Sequence, residues 1–231
     1  MSDELDAVLA GVALPAAPPM CDELERELGA LAPVRARNPR RDLALVIGAS
    51  LAYAGAFLAI LRLRRDLDGL PMGWLAAYAA AWFAGFASLA WLAIVPPRGQ
   101  MMPRWRAAGI GAVIASILFI AGGILLHQEA PNSVYYGWDK FHRGHWCLEI
   151  GLATAIVPAT LGAIVLRGVL PVGSRWAAAA LGAAGGSLGG LVLHLHCPIA
   201  DGVHLGIVHG GVVLVSAVLA AAIAPRAKMS P

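Results

Sequence analysis

Charge is what this sequence has least of. Lys, Arg, Asp and Glu make up 13% of its 231 residues, hydrophobic residues make up 59%, and mean hydropathy is +0.71. A chain so poor in charge cannot clothe a core of its own in hydrated surface, which excludes a soluble globular domain and leaves a polytopic membrane protein. Cysteine is scarce too: Cys21, Cys147 and Cys197 are too few for a disulfide scaffold, and an odd number leaves room for one bridge and one free thiol. No nucleophile elbow, HExxH or phosphate loop stands out, so no enzyme is expected. The first 42 residues hold acidic residues and prolines but no apolar core long enough for a secretory leader. The net charge of +3 reflects loop arginines placed by membrane insertion rather than a surface that binds nucleic acid directly.

What is present falls into three parts, an aqueous segment 1–42, a membrane domain 43–225 and a short tail 226–231. The first part holds two short amphipathic helix candidates. Leu5, Val8 and Leu9 share one face, and Leu24, Leu28 and Leu31 share another, with Asp22, Glu23, Glu25 and Glu27 around the second and Pro15, Pro18 and Pro19 between them. Helices this short are marginal alone in water, so they need a partner. Arg35, Arg37, Arg40 and Arg41 follow as a basic run.

Six apolar runs come next, each near the roughly 20 residues that cross a bilayer. They are expected at Leu43 to Leu61, Trp74 to Val95, Ala107 to Leu126, Cys147 to Leu166, Trp176 to Leu195 and Leu205 to Ala224. The fold class is therefore all-α, a bundle of six transmembrane helices in a lipid bilayer. Small residues such as those of Ala180 to Gly190 let helix backbones approach closely in lipid. Basic residues near the span ends number eleven on the side of the termini and five on the other, which places both termini in the cytoplasm of a bacterial inner membrane. The loop Arg62 to Gly69, RLRRDLDG, opposes the rule with three arginines, partly offset by Asp66 and Asp68.

Under this topology all seven histidines, with Cys147 and Cys197, gather at the outer face. The richest stretch is Leu191 to Gly211, with His194, His196, Cys197, His204 and His209. Thiolate and imidazole suit zinc and Cu(I), so a tetrahedral site from Cys147, Cys197 and two of His145, His196, His204 and His209 is one expectation. A redox-sensitive pair of Cys147 and Cys197 is the other. Cys21, on the cytoplasmic side, should stay reduced. Glu149 and Asp201 are placed to orient a histidine from behind, and His127 and His142 read as interface residues. A reading from another class is a haem- or metal-binding membrane protein for electron transfer or transport, with His127, His194 or His209 as axial ligands. Against transport, the spans carry almost no ionisable residue near their midplanes and no paired broken helices.

Several stretches together resemble the NrsF family, six-span bacterial membrane anti-sigma factors. LGALAPVRARNPRR, Leu28 to Arg41, is similar to the Leu-x-Pro-Val-Arg segment before the family's first span. WCLEIGLATAIVPATLGAIVLRGVLP and LHLHCPIADGVHLGIVHG, within Trp146 to Gly210, resemble its fourth span and last outer loop through Cys147, Gly151, Pro158, Arg167 and Cys197. Pro198 and His209 match less specific positions. The sequence departs in its long proline-containing N-terminus and its many histidines. The resemblance implies that Cys147 and Cys197 sense heavy metal or oxidative stress. It also implies that Leu5, Val8, Leu9, Leu24, Leu28 and Leu31 bind an extracytoplasmic-function (ECF) sigma factor.

Overall fold

A computed structural model describes residues 37–100, 103–134, 144–167 and 175–224, together with Arg26. The chain divides into two units, Met1–Arg37 and Asn38–Pro231. All six long helices belong to the second. They are α1 (Pro39–Leu61), α2 (Met72–Ile94), α3 (Trp105–Leu125), α4 (His145–Leu166), α5 (Arg175–His196) and α6 (His204–Ile223), each long and apolar enough to cross a membrane. Leu5, Val8, Leu9, Leu24, Leu28, Leu31, Cys21, His142 and the tail 226–231 lie outside the described residues.

The ends of the spans are set by local chemistry that hydropathy does not register. α1 begins at Pro39, ahead of the expected Leu43, because the Asn38 side chain accepts the Arg41 amide at 3.2 Å and proline suits the first helical position. Arg40 and Arg41 therefore lie inside the first turn. α4 starts at His145 rather than Cys147, with Gly144 at its cap.

α5 is the axis of the bundle. Of its most apolar stretch, 83% is buried, against 22–44% for the other five helices. Its sequence explains this, since the glycines of ALGAAGGSLGG face different neighbours at backbone distance. A methyl group on Gly182 would meet the Ser216 carbonyl of α6. One on Gly186 would meet Val213 Cα of α6 at 2.6 Å, one on Gly185 the Ala155 carbonyl of α4 at 2.5 Å, and one on Gly190 the Trp82 ring of α2 at 2.5 Å or less. In lipid, where helices gain little from excluding water, such close backbone contact is the main source of cohesion. Gly185-Gly186-Ser187-Leu188-Gly189 has the letters of a nucleophile elbow. It lies within α5, however, and Ser187 Oγ donates to the Ala183 carbonyl at 2.9 Å, so no strand-to-helix turn exposes the hydroxyl. The bundle's outside carries large apolar side chains, Ile117, Leu118, Ile156 and Val218 each being more than half exposed. Exposed apolar side chains of this kind are compatible with a multi-pass membrane protein.

Residues 62–71, 126–134 and 197–203 meet at one end of the bundle. Three contacts knit that end. Val134 and Ile199 form an isolated parallel bridge, with Val134 N donating to the Pro198 carbonyl at 2.9 Å. Asn132 Nδ2 donates to the Arg65 carbonyl at 3.1 Å. The third contact is a buried ion pair, in which Arg64 Nε and Nη2 donate to Asp66 Oδ1 and Oδ2 at 2.6 and 2.7 Å. Arg64 Nη1 reaches the His194 carbonyl at 3.3 Å, and Ser133 Oγ donates to Asp66. One of the three arginines that oppose the charge rule is thus neutralised inside the protein. Burial pushes the Asp66 carboxyl up, but the hydrogen bonds from Arg64 and Ser133, with the guanidinium charge, outweigh it and hold the group below the usual carboxylate range.

Gly185→Ala should lower the thermal midpoint in detergent by an overpacking cost of about 1–3 kcal/mol. Gly48→Ala, where a methyl group meets nothing within 4 Å, should not. Asp66→Asn should cost about 3–5 kcal/mol at neutral pH, since it strands a buried guanidinium. A carboxyl with a depressed folded pKa contributes stability above its unfolded value, and that contribution is lost as pH falls through the folded one. The gap between the two proteins in pH-dependent melts should therefore close in acid.

Candidate Cys/His site

The same end of the bundle holds the cluster that chemistry would single out. Cys147 lies in the first turn of α4, Cys197 directly follows α5, and His204 and His209 lie in the first part of α6. One ligand atom from each of the four comes within 4.8 Å of all the others. Cys147 Sγ and Cys197 Sγ are 3.4 Å apart as free thiols, and Cys197 Sγ is 3.5 Å from His204 Nε2. The two imidazoles meet edge to face, their centroids 5.0 Å apart.

Residues 204–210 form a π-helix, and this brings the histidines together. In an α-helix, residues five apart point about 140° away from one another at 100° per residue. The wider π turn closes on the fifth residue and returns His209 to the side of His204. Small neighbours make room: a methyl group on Gly144 would come 2.5 Å from His204 Nδ1, and one on Gly123 would come 2.6 Å from Gly206 backbone atoms. His204, His209 and Cys197 are buried, whereas Cys147 is partly exposed. His209 Nε2 is buried with no hydrogen-bond partner. The Cys197 thiol is pushed up by its hydrogen bond with Cys147 and by burial, so a cation entering the site would displace a proton from it.

Other candidates from the sequence are occupied elsewhere. His145 is exposed and packs on Trp146, ring centroids 5.2 Å apart. His196 Nδ1 donates to the Arg62 carbonyl at 2.8 Å and holds that residue at φ 70°, a conformation that disfavours any side chain. Neither joins the quartet. His194 is buried against Trp74 and Tyr78, and its Nε2 donates to the Leu75 carbonyl at 3.1 Å, so it is a packed core residue rather than a free axial ligand. His127 donates through Nδ1 to the Ile124 carbonyl at 3.0 Å. Glu149 is exposed, and Asp201 Oδ1 accepts the Val203 amide at 3.1 Å as a cap for α6. Sequence reasoning passed over Gly144, which walls His204, and the Arg64–Asp66 pair that fastens the neighbouring loop. The one signal that could have selected His204 and His209 is their five-residue separation, which pairs only in a π turn.

Donor chemistry and access define what the cluster can do. Two sulfurs and two imidazoles match the preferences of zinc and copper, and two thiols in contact can also join on oxidation. A reagent can reach Cys147 far more readily than Cys197, which is 1% exposed. Brief treatment of the folded protein with iodoacetamide in the presence of a chelator should alkylate Cys147 first, as read by peptide mass spectrometry. Equal labelling of the two cysteines would show that the site is open.

Among known families, the one described as "Negative regulator of sigma F" (NrsF) matches residues 29–227. No curated protein and no solved structure gives a match.

Proposed function

The chain belongs to the NrsF family of negative regulators of sigma F, and we propose that it is a multi-pass inner-membrane protein that sequesters an ECF sigma factor in the cytoplasm. The inhibitory arm is the N-terminal segment. Its apolar faces, Leu5, Val8 and Leu9 in one helix and Leu24, Leu28 and Leu31 in the other, dock onto helical surfaces of the sigma factor. The acidic residues beside them complement the basic, DNA-binding face of the partner. Both termini are cytoplasmic, which puts the Cys/His end of the bundle in the periplasm. There Cys147 and Cys197, with His204 and His209, receive the signal, a thiophilic metal ion or an oxidant that changes how these side chains are bonded, and the sigma factor is released.

One observation carries this reading. The family match runs from residue 29 to residue 227, so it takes in the basic stretch before α1 and the whole bundle with its four-residue cluster. A ligand at that cluster can act as a signal only by binding one state of the protein better than another, because equal affinity shifts nothing. Cys147, Cys197 and the two histidines come from three different helix ends, so a change in their bonding bears on how α4, α5 and α6 pack.

The test is co-purification of the tagged protein with the ECF sigma factor encoded beside it. The intact chain should retain the sigma factor, and a chain lacking residues 1–33 should not. Leu24→Asp with Leu28→Asp should weaken retention by roughly a hundredfold or more, taking about 1.5–3 kcal/mol for each buried leucine. Retention by the truncated chain would remove the N-terminal segment from its proposed role, and failure of the intact chain to retain the factor would overturn the pairing.

A further inference from the structure

We infer that Cys147, Cys197, His204 and His209 hold a resident zinc(II) ion in the resting protein, and that the π-helical start of α6 exists to complete its ligand set. The inference deepens the sensing role proposed above and rests on it for its biological meaning, but its chemistry stands on the site alone. In a tetrahedral zinc site with Zn–S near 2.3 Å and Zn–N near 2.0–2.1 Å, the ligand atoms lie roughly 3.3–3.8 Å from one another. The sulfurs here are 3.4 Å apart and Cys197 Sγ is 3.5 Å from His204 Nε2, with one ligand atom from each of the four inside 4.8 Å of the others. The quartet is therefore already gathered at close to the spacing the ion would impose.

Two further observations point to a ligand. His209 Nε2 is enclosed in protein and forms no hydrogen bond of good geometry, and the polar side chain that acts on the ring is Cys147, itself one of the quartet. Native proteins rarely leave a buried polar atom in that condition, and a metal–nitrogen bond would satisfy it. The π segment is the other. It is an uncommon geometry that recurs at functional sites, and here its effect is to turn His209 back toward His204.

Charge selects the ion. Two thiolates and a divalent cation sum to zero, whereas Cu(I) would leave a net negative charge in a site where three of the four ligand residues are buried. Oxygen-loving cations are disfavoured, because the nearby carboxylates are used or exposed: Asp201 caps α6 and Glu149 faces outward.

The experiment uses the full-length protein purified in detergent without chelators. Elemental analysis should find one zinc per chain. Replacement of zinc by Co²⁺ should give the visible bands of tetrahedral cobalt together with thiolate-to-cobalt charge transfer. His204→Ala and His209→Ala should each weaken Co²⁺ binding by about a hundredfold or more, beyond what loss of an outer-shell partner produces. His145→Ala and His196→Ala should bind as the parent does. A cysteine variant could fail to fold, so the unmodified protein supplies a second readout: both thiols should resist alkylation until zinc is chelated. A chain that is metal-free as purified and takes up no Co²⁺ would overturn the inference, as would a loss in His145→Ala or His196→Ala equal to that in His204→Ala. Zinc bound without sigma-factor retention would refute only the function proposed above, and retention by a metal-free protein would refute only this site.

Discussion

Everything in this bundle depends on how closely helix backbones can approach α5. Gly182, Gly185, Gly186 and Gly190 leave no room for even a methyl group against α6, α4 and α2, so the central helix is fixed sideways on several flanks at once. Where lipid replaces water outside the bundle, burying a leucine gains little, and contact of this kind does what a hydrophobic core does in a soluble protein. The position of α5 in turn sets the position of Cys197, which leaves its last turn with the Cys197 amide donating to the Leu193 carbonyl at 2.8 Å. The site is as well located as the axis that carries it.

The loops at that end add a second constraint. Arg64 and Asp66 are two residues apart, and their side chains are wholly buried. A pair of that kind is costly to desolvate and is justified by geometry: both carboxylate oxygens are engaged, and the remaining guanidinium nitrogen reaches the His194 carbonyl. It ties the link after α1 to the last turn of α5, while Ser133 and Asn132 bring in the link after α3. The cluster therefore sits beside a fastened cap rather than among free loops.

Much of this was legible in the sequence. Six apolar runs of span length announced six helices, because nothing else in a chain of this composition requires them. The glycines of α5 announced close packing, and the concentration of histidine with Cys147 and Cys197 around the start of α4 and the turn from α5 to α6 pointed to the region where the four-residue cluster lies. Helix ends were not legible where capping decided them, as at Asn38 and Pro39. The buried state of Arg64 was hidden too, since an arginine two residues from an aspartate reads as solvated loop until the loop is folded. The choice of His204 and His209 over His145 and His196 turned on a local change of helical winding, and hydrophobic periodicity carries no record of that.

The π segment also has a mechanical meaning. One residue more per turn acts as a phase shift in a rigid rod, and every side chain beyond it is set by that shift. Were residues 204–210 to wind as an ordinary α-helix, Gly211–Ile223 would have to turn by about 100° or slide by about 1.5 Å to absorb the difference. Gly182, pressed against the Ser216 carbonyl, permits neither movement unless α5 and α6 part. A change of winding in residues 204–210 would therefore have to be met by a parting of α5 and α6 at Ser216, six residues beyond the π segment, with no lever other than the screw of the helix itself.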